Sequence, residues 1–214
     1  QTVEANRIED GYVRGVYTRG KGSLGLNPFT CETPSCIIIA DTISLYPESM
    51  YRDGMAVIIA DRPRVPIECL DPQIKSLNYL NNILAKIEAK KVGFQEALML
   101  NDKGEVAECT GDNVFVLSKG TLLTPPLDAG SLRGITRGTV MDIADELEVP
   151  LREQALTRYD LWTAEECFLT GTAAEVIPCV EVDHRTVGSG MPGELTGRFI
   201  ASFREKSSVL GRML

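Results

Sequence analysis

Between residues 79 and 91 the apolar side chains Leu80, Ile83, Leu84 and Ile87 recur at i, i+3, i+4 and i+7. That spacing predicts a helix with one apolar face, and Gly93 supplies its stop. Val140, Ile143, Ala144 and Leu147 repeat the spacing, and Leu195, Phe199, Ile200 and Phe203 mark a last helix. Shorter apolar stretches lie before and between them. Residues 12–17 have strand composition, residues 36–40 and 56–60 are aliphatic runs, and residues 96–100 and 113–117 read as short strands. Residues 46–54 read as a helical turn closed by glycine, 101–104 as a turn and 124–130 as a loop. Cys167–Leu169 reads as a strand that breaks at Thr170-Gly-Thr172. Strands and helices mix without regular alternation, which predicts an α+β or mixed α/β fold. The stiff stretch Arg62-Pro-Arg-Val-Pro66 is the candidate linker. It would divide the chain into two domains, residues 1–65 and residues 66–214.

Composition narrows the function. The 214 residues are 43% hydrophobic, enough for a substantial core. A net charge of −8 opposes nucleic-acid binding, which needs clustered Lys and Arg. One histidine, His184, leaves no multi-histidine metal site, and no metal is expected. The longest aliphatic runs fall far short of a membrane span, so no membrane partner is expected. Six cysteines without a C-x-x-C pair read as reduced thiols of a cytoplasmic protein. The sequence opens with Gln1 in what reads as mid-domain.

Several segments carry candidate chemistry, each with an ordinary counterpart. Gly20-Lys-Gly-Ser-Leu-Gly25 matches G-x-G-x-x-G, but Pro28 and Pro34 oppose the helix that a dinucleotide site requires. A flexible glycine loop over a site, or simply a loop, is expected there. Lys75 is ordinarily a solvated lysine. A helix end, or desolvation between Ile74 and Leu77, would favour a partly neutral amine able to form a Schiff base. Glu108 on a strand would share a face with Val106 and Thr110, and if buried would demand a cationic partner. Gly134-Ile-Thr136 opens a helix, where unpaired N–H groups favour an anion. Gly171-Thr-Ala-Ala174 supplies a hydroxyl and backbone donors after a strand. Each is an ordinary cap or turn if taken alone. His184 reads as a turn residue.

Together, residues 74–82, 105–115, 132–137 and 168–178 closely resemble the class-IV aminotransferases, pyridoxal-phosphate enzymes of fold type IV, and among them the branched-chain amino acid branch. The resemblance implies pyridoxal 5'-phosphate held by Lys75 as a Schiff base, with Lys75 also moving the substrate proton. It implies Glu108 at the pyridine nitrogen, Tyr79 near the 3′ oxygen and Leu132 on the ring. The phosphate would sit among Gly134, Ile135, Thr136, Gly171 and Thr172. On the substrate side it implies Tyr12 and Arg14 of the Tyr-x-Arg element, the turn at Thr172 and Ala173 for the α-carboxylate, and the loop 22–28, including Leu26, reaching a neighbouring subunit. A homodimer or higher homo-oligomer follows. The expected reaction is transamination of leucine, isoleucine or valine with 2-oxoglutarate, Arg14 serving the glutamate carboxylate. A D-amino acid transaminase, an aminodeoxychorismate lyase and an inactive truncated fragment are the alternatives. The family pattern also includes an N-terminal segment with a phosphate-gripping arginine, which this sequence lacks. Residues 1–65 are therefore expected to be the remainder of a small domain.

Overall fold

The computed structural model describes residues 1–43 and 45–210, the Leu210 side chain excepted. Two compact units are present, Gln1–Leu45 and Tyr46–Leu214. The first holds a short helix α1 (Thr2–Ala5) and an antiparallel pair, β1 (Tyr12–Thr18) and β2 (Ser35–Asp41), in register from Tyr12↔Asp41 to Thr18↔Ser35. The glycine-rich loop between them opens no α-helix. Gly20 has φ +85°, and a Cβ there would stand 1.8 Å from the Thr33 carbonyl oxygen. That glycine is required by the turn itself.

In the second unit α2 (Glu48–Asp53), ended by Gly54, leads into β3 (Met55–Ile59). Then come α3 (Leu80–Lys91), β4 (Glu96–Leu100), β5 (Val106–Cys109), β6 (Asn113–Ser118) and β7 (Thr121–Thr124). They are followed by α4 (Ile135–Glu146), β8 (Leu151–Glu153), α5 (Arg158–Trp162), β9 (Glu166–Gly171), β10 (Glu175–Val182), β11 (Arg185–Thr186) and α6 (Glu194–Leu210). The strands form one mixed sheet in the order β5-β4-β3-β10-β9-β6-β7-β8, with β11 paired to β10. The pairs β3–β10, β3–β4 and β7–β8 are parallel and the others antiparallel. This is the expected mixed α/β architecture.

Strand alternation builds the cores. Val57, Leu98, Val114, Val116, Leu169 and Ile177 face one common core. Their alternates turn the other way, Phe115, Phe168 and Val176 under α4 and α6, and Ala97 and Met99 under α3. The units part about twenty residues before the expected linker. The reason is that β3, which precedes the linker, is hydrogen-bonded between β4 and β10 inside the large sheet.

Two details depart from simple patterning. The apolar stripe that predicts α3 points outward, with Leu80, Ile83 and Ile87 exposed at 61, 51 and 43%. Asn82, Ala85 and Ala89 are buried instead, because the small alanines let the helix lie close on β4. The Cys167–Leu169 strand does not break at Thr170. It continues to Gly171, and the hairpin turns through residues 172–174.

Candidate active site

Pro63-Arg-Val-Pro66 is held to the sheet and to α3. Arg64 N donates to the Leu100 carbonyl at 2.7 Å, and Val65 N to Asn81 Oδ1 at 3.0 Å. Lys75 follows on a chain of tight turns, with Gln73 N on Asp71 Oδ1 at 2.8 Å and Ser76 N on the Ile74 carbonyl at 2.6 Å. Gln73 clamps this segment to the one before α4. Its Nε2 donates to the Ser131 carbonyl at 2.6 Å, and its Oε1 accepts from Arg133 N at 3.3 Å. Lys75 Nζ donates to the Tyr79 hydroxyl at 3.2 Å. Lys75 is exposed, as are Ile74 and Leu77, so of the two conditions that would favour a neutral amine, desolvation between these side chains is not met within this unit.

Glu108 is buried on β5. A bulge in the β4–β5 ladder pairs Met99 with Glu108 and Leu100 with Val106. The bulge brings Val106 and Cys109 into the same core, so Glu108 does not share a face with Val106 as strict alternation predicts. Arg64 Nη2 lies 2.6 Å from Glu108 Oε1, while Leu132 N and Asn113 Nδ2 donate to Oε2 at 2.8 and 3.2 Å. The remaining Arg64 donors reach Asn82 Oδ1 at 2.7 Å and the Gly130 carbonyl at 3.1 Å. Burial raises the Glu108 carboxyl above the ordinary range. The Arg64 guanidinium, the Leu132 amide, Lys75 and Arg137 all act the other way.

A cavity of about 400 Å³ brings these groups together. Lys75, Tyr79, Glu108, Leu132, Gly134, Ile135, Thr136, Gly171 and Thr172 all border it, and Gln73, Asn82, Asp112, Asn113 and Thr170 complete much of the wall. The end of α4 that faces it has no side-chain cap on Gly134, which leaves the first helical N–H groups available to an anion. Two glycines let the walls close: a Cβ on Gly134 would stand 2.2 Å from Asn113 Oδ1, and one on Gly171 2.2 Å from Asp112 Oδ1. A basic amine, a hydroxyl, a buried carboxylate with its own cation and a helix start thus share one pocket. Ala173 lies in the hairpin turn just beyond Thr172. Tyr12, Arg14 and Leu26 belong to the first unit, the first two on β1 and Leu26 exposed on the loop after it.

Sequence reasoning missed Arg64, Gln73, Asn82 and Asn113. The available signal was the demand of a buried Glu108 for a cation. Among the described residues no group of three or more His, Cys, Asp or Glu side chains could hold a metal ion. His184 occupies a turn after β10 at φ +61°, with its ring edge-on to Phe94.

Residues 1–182 match the family model for amino-transferase class IV. The chain belongs to that family. As a class IV chain it is 43% identical over 205 residues to a putative branched-chain-amino-acid aminotransferase of Methanocaldococcus jannaschii, covering 96% of this chain and 70% of that protein. It is 32% identical over 203 residues to the branched-chain-amino-acid aminotransferase of Escherichia coli K12, covering 94% and 66%. The crystal structure of the E. coli branched-chain amino acid aminotransferase superposes with a TM-score of 0.92 at 32% identity, covering 95% of this chain and 68% of that one. The branched-chain amino acid aminotransferase of Thermobaculum terrenum, in its PLP-bound holo-form, superposes at 0.84 and 32%, covering 95% and 66%. The chain spans about two thirds of the length of these relatives.

Proposed function

We propose that this protein transfers the amino group of leucine, isoleucine or valine to 2-oxoglutarate, using pyridoxal 5'-phosphate held in the cavity of the second unit. The observation that carries the proposal is that cavity, where Lys75 and the Arg64-paired Glu108 meet the uncapped start of α4. These residues fit the cofactor. The α4 N–H groups of Ile135 and Thr136, with Thr172 and the close-set Gly134 and Gly171, suit a phosphate dianion. Glu108 suits a protonated ring nitrogen, Tyr79 a ring oxygen and Leu132 the ring face.

When bound, the cofactor supplies an aldehyde for the amine and a ring that accepts electrons released at the substrate Cα. Lys75 Nζ holds the cofactor and moves the proton to and from that carbon. Glu108, kept ionic by Arg64, keeps the ring nitrogen protonated. Tyr79 orients the Lys75 amine through their hydrogen bond. The amides at Thr172 and Ala173 receive the substrate carboxylate. Tyr12 and Arg14 are assigned to the substrate side chain, Arg14 for glutamate, and Leu26 to a neighbouring subunit's pocket. The protein works as a homodimer or larger homo-oligomer in the cytoplasm. The exposed apolar stripe on α3 supports assembly with a second copy. Among the described residues no helix is long and apolar enough to cross a membrane.

Side-by-side assays of leucine, isoleucine and valine against D-alanine and aminodeoxychorismate test the reading. Turnover of the branched-chain substrates with 2-oxoglutarate is expected. Turnover of D-alanine or aminodeoxychorismate alone would overturn it.

A further inference from the structure

Asp112, on the turn between β5 and β6, is a second buried carboxyl in the wall of the cavity. Its Oδ1 packs against Gly171, whose missing Cβ makes room for it. Its Oδ2 lies 3.0 Å from the Tyr46 hydroxyl, which is also 3.0 Å from Glu96 Oε2. One hydroxyl proton serves only one of two carboxylates at a time. Glu96 is well supplied without it: Lys86 Nζ reaches Oε2 at 2.7 Å, and Ala97 N, Thr110 N and the Thr110 hydroxyl reach Oε1. Among the described residues, Tyr46 is the side-chain or backbone donor that reaches the Asp112 carboxyl. The negative charge therefore belongs on Glu96 and the proton on Asp112. On the adjoining strand Thr170, paired in register with Asn113, has a buried hydroxyl with no hydrogen-bond partner.

We propose that Asp112 is a positioning residue that works as a neutral acid: it keeps the wall beneath Thr170–Thr172 uncharged so that the cavity accepts an anionic group, and its ionisation weakens that binding. This rests on the anion-binding role proposed above for Thr172 and the start of α4. Burial first, and then the Glu96 carboxylate, push the Asp112 carboxyl up to about 7, against the Tyr46 hydrogen bond and the Lys86 charge. The other titratable groups facing it are Glu108 and Cys109 from β5 and Tyr51 from α2. Asp112 is neutral below that pH and opposes an anion above it.

Sulfate is the probe, because it stays fully ionised over about pH 5.5–8.5. Calorimetric titration of the purified protein, freed of small ligands by dialysis and held at constant ionic strength, is expected to show sulfate affinity falling about tenfold as pH rises through about 7. Asp112→Asn, a neutral isostere, is expected to keep the low-pH affinity throughout. Glu96→Gln removes the neighbouring charge and is expected to move the midpoint to lower pH. A flat wild-type profile, absence of sulfate binding, or an Asp112→Asn protein with the wild-type pH dependence would overturn the proposal. The titration needs no cofactor, so a failure of the pyridoxal-phosphate reading shows separately, as missing cofactor absorbance.

Discussion

The Arg64 guanidinium stands 2.6 Å from the Glu108 carboxylate, with both side chains less than a tenth exposed. A buried ion pair of this kind is weak evidence for stability, but losing one partner strands the other. Arg64 also serves Asn82 and the Gly130 carbonyl, so it joins α3, β5 and the segment before α4 at the point where Glu108 faces the cavity. Arg64→Met is expected to cost about 3–5 kcal/mol in urea unfolding. Arg64→Lys cannot reproduce the fork, and is expected to weaken pyridoxal-phosphate binding by roughly 10- to 100-fold in absorbance titrations. Unchanged cofactor affinity in Arg64→Lys would detach this pair from the site.

Gly134 carries a second prediction. A methyl group there meets Asn113 Oδ1, and Asn113 also donates to Glu108 and to the Leu132 carbonyl. Gly134→Ala is expected to cost about 1–3 kcal/mol by displacing Asn113, and to weaken cofactor retention more than Gly138→Ala, whose Cβ meets nothing within 4 Å. Thermal unfolding and gel filtration of the two variants with pyridoxal phosphate make the comparison.

On the outward face of α3, Ile83→Glu is expected to change the stability of the folded chain by less than about 0.5 kcal/mol, because the side chain is already half in water. The same change is expected to weaken self-association in sedimentation. Loss of folding with assembly intact would place Ile83 in a core instead.

Much of the fold was legible because strands and helices bury alternate or i, i+3, i+4 positions, as in α4, where Val140, Ile143 and Ala144 are buried as the spacing predicts. Periodicity finds a helix but not its partner. On α3 the bulky residues face outward, and Ala85 and Ala89 are covered. The boundary was misplaced because the prolines around Arg64 look like a linker, while the strand before them belongs to the large sheet. The bulge that turns Glu108, the Gln73 clamp and the Glu96–Asp112 pair depend on contacts between distant segments, which local spacing does not encode.

Asp112 adds a pH prediction for stability. Its carboxyl moves from 3.8 to about 7 in the folded chain, so the folded state holds the proton more tightly. The stability this contributes is full below about 3.8 and is lost as pH rises through about 7. Wild type is therefore expected to lose melting temperature relative to Asp112→Asn between about pH 5 and pH 8, on the order of a few degrees. A difference that is constant across that range would contradict the assignment.

The central claim is that the Lys75 amine bonds to pyridoxal phosphate. Borohydride reduction of the protein saturated with pyridoxal phosphate, followed by peptide mass mapping, reads it directly. The phosphopyridoxyl label is expected on the peptide containing Lys75 and absent from Lys75→Ala. A label on other lysines with Lys75 unmodified, or no label at saturation, would contradict it.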